Sequence, residues 1–247
     1  MKTRVLFLLF IISCSPMSAQ ITSTGQLLDA MQVKYRGKWF KEYTFEQQTI
    51  RYNQQGAVRD TAIWNEAVSY PDHFRIDFGK PGQFVIFKND SSWRFQNYKP
   101  QGSRFEPQEF LLFKGGMYFT SPAVIMDKLI AYGYDTSIFR EDRLNGRRAY
   151  VIGAKKGDLT TKQFWIDADH FYTIRRISRL GNGSALDVQY SDHKAVKGGW
   201  VEQVVTFYRD GRLIQIENYL NINASGKLDP QIFNVEKPAV TWFEKRK

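Results

Sequence analysis

The stretch PDHFRIDFGKPGQFVIFKNDSSWRF (Pro71–Phe95) decides how the chain folds. Phe74, Ile76 and Phe78 alternate with Arg75 and Asp77, the period of two expected of a strand with one apolar face. Phe84–Phe87 is a short run without a polar residue, and beyond the turn at Asn89-Asp90-Ser91, Trp93 and Phe95 alternate with Arg94 and Gln96. Segments this short, joined by turns, read as consecutive antiparallel strands. The alternation predicts one continuous aromatic face, and a second face whose charges, Arg75 and Asp77 among them, meet water.

The same period extends outward in both directions. Upstream, Glu42–Tyr52 ends at the turn Asn53-Gln54-Gln55-Gly56, and Ala62, Trp64, Val68 and Tyr70 share one face of the next strand. Downstream, strands are predicted at about Arg148–Ala154, Thr161–Ile166, Phe171–Arg179, Ala185–Ser191, Trp200–Tyr208 and Arg212–Leu220. Asp210-Gly211 is a two-residue hairpin signal, while Gly181-Asn182-Gly183 and Lys197-Gly198-Gly199 mark longer turns. Helical spacing occurs in few places. Leu27, Leu28, Met31 and Tyr35 form one face of a helix that stops at Gly37. Ser121-Pro122 opens another, running to about Gly133 with Val124, Ile125, Lys128 and Leu129 on its faces. Between the β-rich halves, Glu109–Tyr118 is apolar but broken by Gly115-Gly116. With no Pro/Ser linker to divide it, the chain reads as one mainly β (α+β) domain over residues 20–247, with ten to eleven antiparallel strands and two or three helices.

Composition narrows the function. The 247 residues include 19 Phe, 13 Tyr and 6 Trp, an aromatic load suited to sheet faces and apolar cavities. Lys2 and Arg4 followed by the apolar run Val5–Ile12 read as an export signal, too short to span a bilayer, and no other stretch is long enough. Two processing routes are open: cleavage after Ala19, or a lipobox at Ile11-Ile12-Ser13-Cys14 that lipidates Cys14 and anchors the protein at the outer membrane. A periplasmic location follows in either case, which argues against a nucleic-acid partner. Cys14 is the only cysteine, so no disulfide forms within the chain. The net charge of +10 is dispersed in pairs such as Arg147-Arg148 and Arg175-Arg176, as solubilising charge or as an attraction to anionic lipid surfaces.

Asp167-Ala168-Asp169-His170 is the one stretch that looks like chemistry. It sits where Thr161–Ile166 must reverse into Phe171–Arg179, and Asp favours such turns because its carboxylate bonds nearby backbone N–H groups. His73 and His193 stand alone, without metal-ligand spacing. The stretch therefore reads as a hairpin turn. No nucleophile elbow, phosphate loop or dinucleotide fingerprint occurs, and the expectation is a non-enzymatic protein without metal or cofactor.

Taken in order, these pieces resemble the LolA/LolB family of periplasmic lipoprotein carriers and receptors. The amphipathic N-terminal helix precedes Phe45-Glu46-Gln47-Gln48, similar to the family's F-x-Q-x strand. Pro71-x-x-Phe74-Arg75-Ile76 is similar to its P-x-x-F-R-W segment, and Asp90-Ser91-Ser92-Trp93 to its D-G-x-x-x-W turn. Phe164-Trp165-Ile166-Asp167 with Ile174-Arg175-Arg176-Ile177 resembles its second-half hairpin, and Asp229-Pro230-x-x-Phe233 with Pro238 its C-terminal motif. The resemblance implies an unclosed antiparallel barrel whose apolar concave face is covered by helices, with acyl chains of a lipid or lipoprotein bound between them. A monomer, working with an inner- or outer-membrane partner protein, would be expected.

On that resemblance the cavity would be lined in the first half by Phe45, Trp64, Phe74, Ile76 and Phe78, then by Phe84, Ile86, Trp93 and Phe95. The second half would contribute Phe164, Ile166 and Ile174, and the covering helix 121–133 would contribute Ile125 and Leu129. One departure stands out: the carrier family has an Arg before the Pro of P-x-x-F, where this chain has Tyr70. Two other readings stay open, a partner-binding module of envelope-stress sensing on the same fold and an exported hydrolase.

Overall fold

A computed structural model describes residues 20–240 and 242–243. The export segment and Cys14 lie outside the described residues. Beyond them runs a helix, α1 (Thr24–Tyr35), capped by Ser23, whose hydroxyl accepts from the Gln26 N–H. Six strands follow in the first half: β1 (Glu42–Tyr52), β2 (Val58–Ser69), β3 (His73–Asp77), β4 (Phe84–Lys88), β5 (Ser91–Gln96) and β6 (Lys99–Phe105). A helical insert then carries α2 (Glu109–Lys114), a 3-10 turn (Gly116–Tyr118) and α3 (Pro122–Ala131).

The second half holds β7 (Phe139–Leu144), β8 (Arg147–Ile152), β9 (Gln163–Asp167), β10 (Thr173–Arg179) and β11 (Ala185–Ser191). A small hairpin, β12 (Lys194–Val196) with β13 (Gly199–Val201), precedes β14 (Val204–Arg209) and β15 (Arg212–Asn223). All but that hairpin join one 13-stranded antiparallel sheet, ordered β6-β5-β4-β3-β2-β1-β15-β14-β11-β10-β9-β8-β7. The edge strands β6 and β7 are not paired with each other, so the barrel is unclosed, as expected. The strand count exceeds the expected ten to eleven because β6, β7 and β12 carry no apolar alternation, and because Trp200–Tyr208 divides into β13 and β14.

Register decides which side chains share a face. Phe74 pairs with Phe87 and Ile76 with Val85, so Val85 and Phe87 stand with Phe74 and Ile76 on the concave side. Phe84 and Ile86 are thereby turned to the convex side, where they pair with Phe95 and Trp93. Here the structure corrects two expectations. Phe84, Ile86, Trp93 and Phe95 do not join the concave face but form a separate cluster with Val235. Nor does the charged face meet water, since Arg75 is fully buried and Asp77 nearly so.

The C-terminal segment covers that convex face. A 3-10 turn (Pro230–Phe233), capped by the Asp229 carboxylate on Gln231 N–H, packs Ile232 and Phe233 over Ala67. Arg75 grips Asp77 with two hydrogen bonds of 2.8 and 2.9 Å. Its Nη1 donates to the carbonyls of Ile232 (3.1 Å) and Ala239 (2.8 Å), while Trp242 Nε1 donates to Asp77 (2.8 Å). The two motifs Pro71–Ile76 and Asp229–Phe233 thus meet through one guanidinium, satisfied on every side as a buried charge must be.

Candidate functional site

The Asp167–His170 stretch is a turn with a structural task. Asp167 Oδ1 accepts from the backbone N–H groups of Asp169 (3.1 Å) and His170 (2.7 Å), and lies 3.0 Å from His170 Nδ1. The last turn of α1 docks on it: Lys34 Nζ donates to the Asp169 carbonyl, and Tyr35 OH to that of His170. Among the described residues no group of three or more His, Cys, Asp or Glu is placed to hold a metal ion.

The site lies elsewhere, between the concave face and α2. A cavity of about 250 Å³ opens there, walled by Phe74, Ile76, Phe87, Val188, Val205 and Phe207, with Phe110 of α2 above and Trp64 at its side. Alternation puts one side chain in two from each strand onto this face. Of the expected residues, Trp64, Phe74 and Ile76 line the cavity, and Phe78 packs edge-on against Trp64 at 5.2 Å between ring centroids. Phe45 stacks against the lining residue Tyr219 at 4.3 Å. Phe164, Ile166 and Ile174 are buried in the same continuous core, where Phe164 meets Phe113 and Tyr134.

The covering helix is α2 rather than the longer segment 121–133. Ile125 and Leu129 of α3 are buried in the main core, and α3 packs against α1. Gly115 caps the end of α2, where nothing larger fits: a Cβ there would lie 2.7 Å from the Tyr70 ring and 2.9 Å from Trp39 Nε1. Tyr70, at the family's Arg position, is buried with its ring stacked on Phe119 at 5.5 Å and its hydroxyl 3.5 Å from that of Tyr43. The segment that follows α2 therefore rests on aromatic packing at this position.

The sequence reading missed the polar floor. Gln47, Glu66, Lys114, Arg176, Tyr190, Glu217 and Tyr219 all line the cavity. Lys114 reaches from the end of α2 to Glu202 and to Tyr219 OH (3.0 Å), locking the helix onto the sheet. Glu217 accepts from Gln215 (2.6 Å) and Tyr219 (3.2 Å); burial nonetheless pushes its carboxyl up to about 7, against the pull of Lys114. Burial also raises Glu66 well above the carboxylate range, and the neighbouring Glu217 adds to the rise.

The two adjacent arginines of β10 have opposite fates. Arg175 faces away and forms a paired contact with Asp187 at 2.9 and 2.7 Å. Arg176 faces in, and its Nε and Nη1 are buried without a hydrogen-bond partner. A signal existed for this: two successive arginines in a strand must point to opposite faces, so one had to enter. Glu66 gave a similar sign, sharing the apolar phase of Trp64 and Val68.

No family model matches the sequence, and no curated protein matches it. Solved structures do resemble it. A LolA superfamily protein from Nitrosomonas europaea aligns with a TM-score of 0.56 at 12% identity, over 87% of this chain and 98% of that one. A putative outer membrane lipoprotein-sorting protein domain from Vibrio parahaemolyticus gives 0.57 at 12% identity, over 86% and 96%. A DUF1329 family protein from Desulfovibrio piger gives 0.57 at 14%, over 86% and 96%. At these identities the likeness is one of architecture, and this chain has the fold of the LolA superfamily.

Proposed function

We propose that this protein is an exported, non-catalytic carrier that shelters the acyl chains of a lipid or lipoprotein in the cavity under α2. The observation that carries this reading is the cavity itself, with its aromatic and aliphatic walls. Each methylene taken from water into such walls contributes roughly 0.8 kcal/mol. Loading and release require α2 to lift, which means parting Lys114 from Glu202 and Tyr219. The six-residue helix and the Gly115-Gly116 pair after it suit such a movement.

Charge near the cavity supports work at a membrane. Arg51 lies over the Trp64 ring at 5.2 Å, and with Arg59, Arg209 and Arg212 it lines a cleft between the tips of two hairpins. Four guanidiniums, countered there by Asp60 and Asp210, suit an anionic headgroup surface. Among the described residues no helix is long and apolar enough to cross a membrane, so the protein would meet lipid from the aqueous side.

Organic extraction of the purified protein followed by mass spectrometry tests the reading. Acyl lipid is expected in stoichiometric amount from the wild type and is expected to be lost from Ile76→Glu, whose carboxylate would keep its water in the cavity. Folded wild-type protein that yields no lipid and takes up no fluorescent acyl probe would remove the basis for a carrier.

A further inference from the structure

Buried polar groups in folded proteins are nearly always hydrogen-bonded, and each exception calls for an explanation. Arg176 is such an exception on a cavity wall. Nε and Nη1 are sealed without a partner, and no hydrogen bond reaches any nitrogen of its guanidinium among the described residues. The nearest carboxylate, Glu109 Oε2, is 3.6 Å from Nη1, beyond hydrogen-bond range, and Glu109 is already held by Lys162 (2.5 Å) and Tyr134 (3.1 Å). Phe113 offers only its ring face, at 5.8 Å.

Two other charged groups of the cavity have partners. Lys114 is matched by Glu202 and Tyr219, and Glu217 by Gln215 and Tyr219. Arg176 is thus the one cation on this wall with donors to spare. A guanidinium offers five N–H donors in a planar fork that fits a carboxylate or phosphate edge.

Size limits the ligand as well. About 250 Å³ lies just below the roughly 300–1,000 Å³ usual for small-molecule sites. That is room for one alkyl chain.

Resting on the carrier reading above, we infer that the cavity is a site for a single-chain amphiphile with an acidic head, of the fatty-acid class. Its anionic group is received by Arg176, and its alkyl chain lies along Phe74, Ile76, Phe87, Val205 and Phe207. Its carboxylate meets the guanidinium at Nη2, the nitrogen that is not sealed, and burial favours the neutral form of Glu66, which lines the same space.

Titration calorimetry with decanoate and decanol, which share a chain and differ in the head, tests the assignment. Wild type is expected to bind decanoate at least about tenfold tighter than decanol, the scale of one charge-assisted hydrogen bond. In Arg176→Gln the preference is expected to collapse while decanol affinity holds, and Arg176→Lys is expected to restore part of it. Thermal melts of both variants should stay close to wild type, because no hydrogen bond is lost. Equal binding of the two compounds by wild type, or a preference that survives in Arg176→Gln, overturns the acidic-head assignment and leaves the sheltering of alkyl chains standing. Unfolding of both variants makes Arg176 structural and overturns it too. Binding of neither compound overturns both readings.

Discussion

The two faces of the sheet each bury an arginine, and they treat it differently. On the convex face Arg75 is bonded on every side, by Asp77 and by two carbonyls of the C-terminal segment, with the Phe84 ring 4.0 Å from its guanidinium. On the concave face Arg176 lines the cavity without a hydrogen bond, its nearest carboxylate, Glu109, 3.6 Å from Nη1. Arg75 sits between Phe74 and Ile76 and Arg176 between Arg175 and Ile177, and both lie in strands that the family resemblance picks out. Saturation is what separates them: the convex guanidinium closes a core and ties down the chain end, whereas the concave one waits for a partner from outside.

The comparison breaks most readily at Arg75. Arg75→Ala leaves Asp77 buried beside Trp242 alone and strips two carbonyls of their donor, so it is expected to cost about 3–5 kcal/mol in denaturant unfolding. A cost under about 1 kcal/mol would mean that the C-terminal segment does not depend on this contact. One substitution made on both faces sharpens the point. Phe95→Ala removes a buried ring from the convex cluster and should cost about 3–5 kcal/mol, while Phe207→Ala, at a half-buried side chain that borders the cavity, should cost markedly less. Equal costs would make the concave face a closed core.

Titration separates the faces on a smaller scale. The folded Glu217 carboxyl titrates near 7 and an unfolded glutamate near 4.5, so the folded state holds its proton longer. Stability owed to Glu217 is therefore full below about pH 4.5 and is lost as pH rises towards 7. Glu217→Gln, a mimic of the protonated acid, should gain on the wild type by roughly 3 kcal/mol across that window and no further above it. Unfolding curves at several pH values measure this, and a constant difference would mean that Glu217 is already ionised in the folded protein.

Much of the architecture was legible in the sequence, because the period of two survives wherever one face is buried. Asp210-Gly211 forms the expected turn, with φ of 48° and 76°. The edge strands were hidden for a physical reason: Lys99–Phe105 is exposed along its whole length, and Phe139–Leu144 carries Arg140, Glu141, Asp142 and Arg143, so neither shows an apolar phase. Asn145-Gly146, with φ of 52° and 82°, was the available signal for the hairpin that β7 opens. The cavity was legible only in part. An all-apolar strand such as Phe84–Phe87 has no phase, and only its register with β3 assigns Phe84 and Ile86 to the convex side. That this side is covered at all depends on a segment some 140 residues away, where no local pattern could reveal it.

The central claim is that the concave face encloses space meant for a ligand. Filling that space with the protein's own atoms tests it most directly. Val205 is buried and lines the cavity beside Val188 and Phe207, so Val205→Phe places a ring where an alkyl chain would lie. Uptake of a fluorescent acyl probe, measured beside the thermal melt of the same samples, is predicted to be saturable in the wild type. It should be lost in Val205→Phe while the melting temperature holds or rises. A variant that melts well below wild type would show a face with no space to fill, and one that takes up probe as before would place the ligand elsewhere; either result contradicts the account.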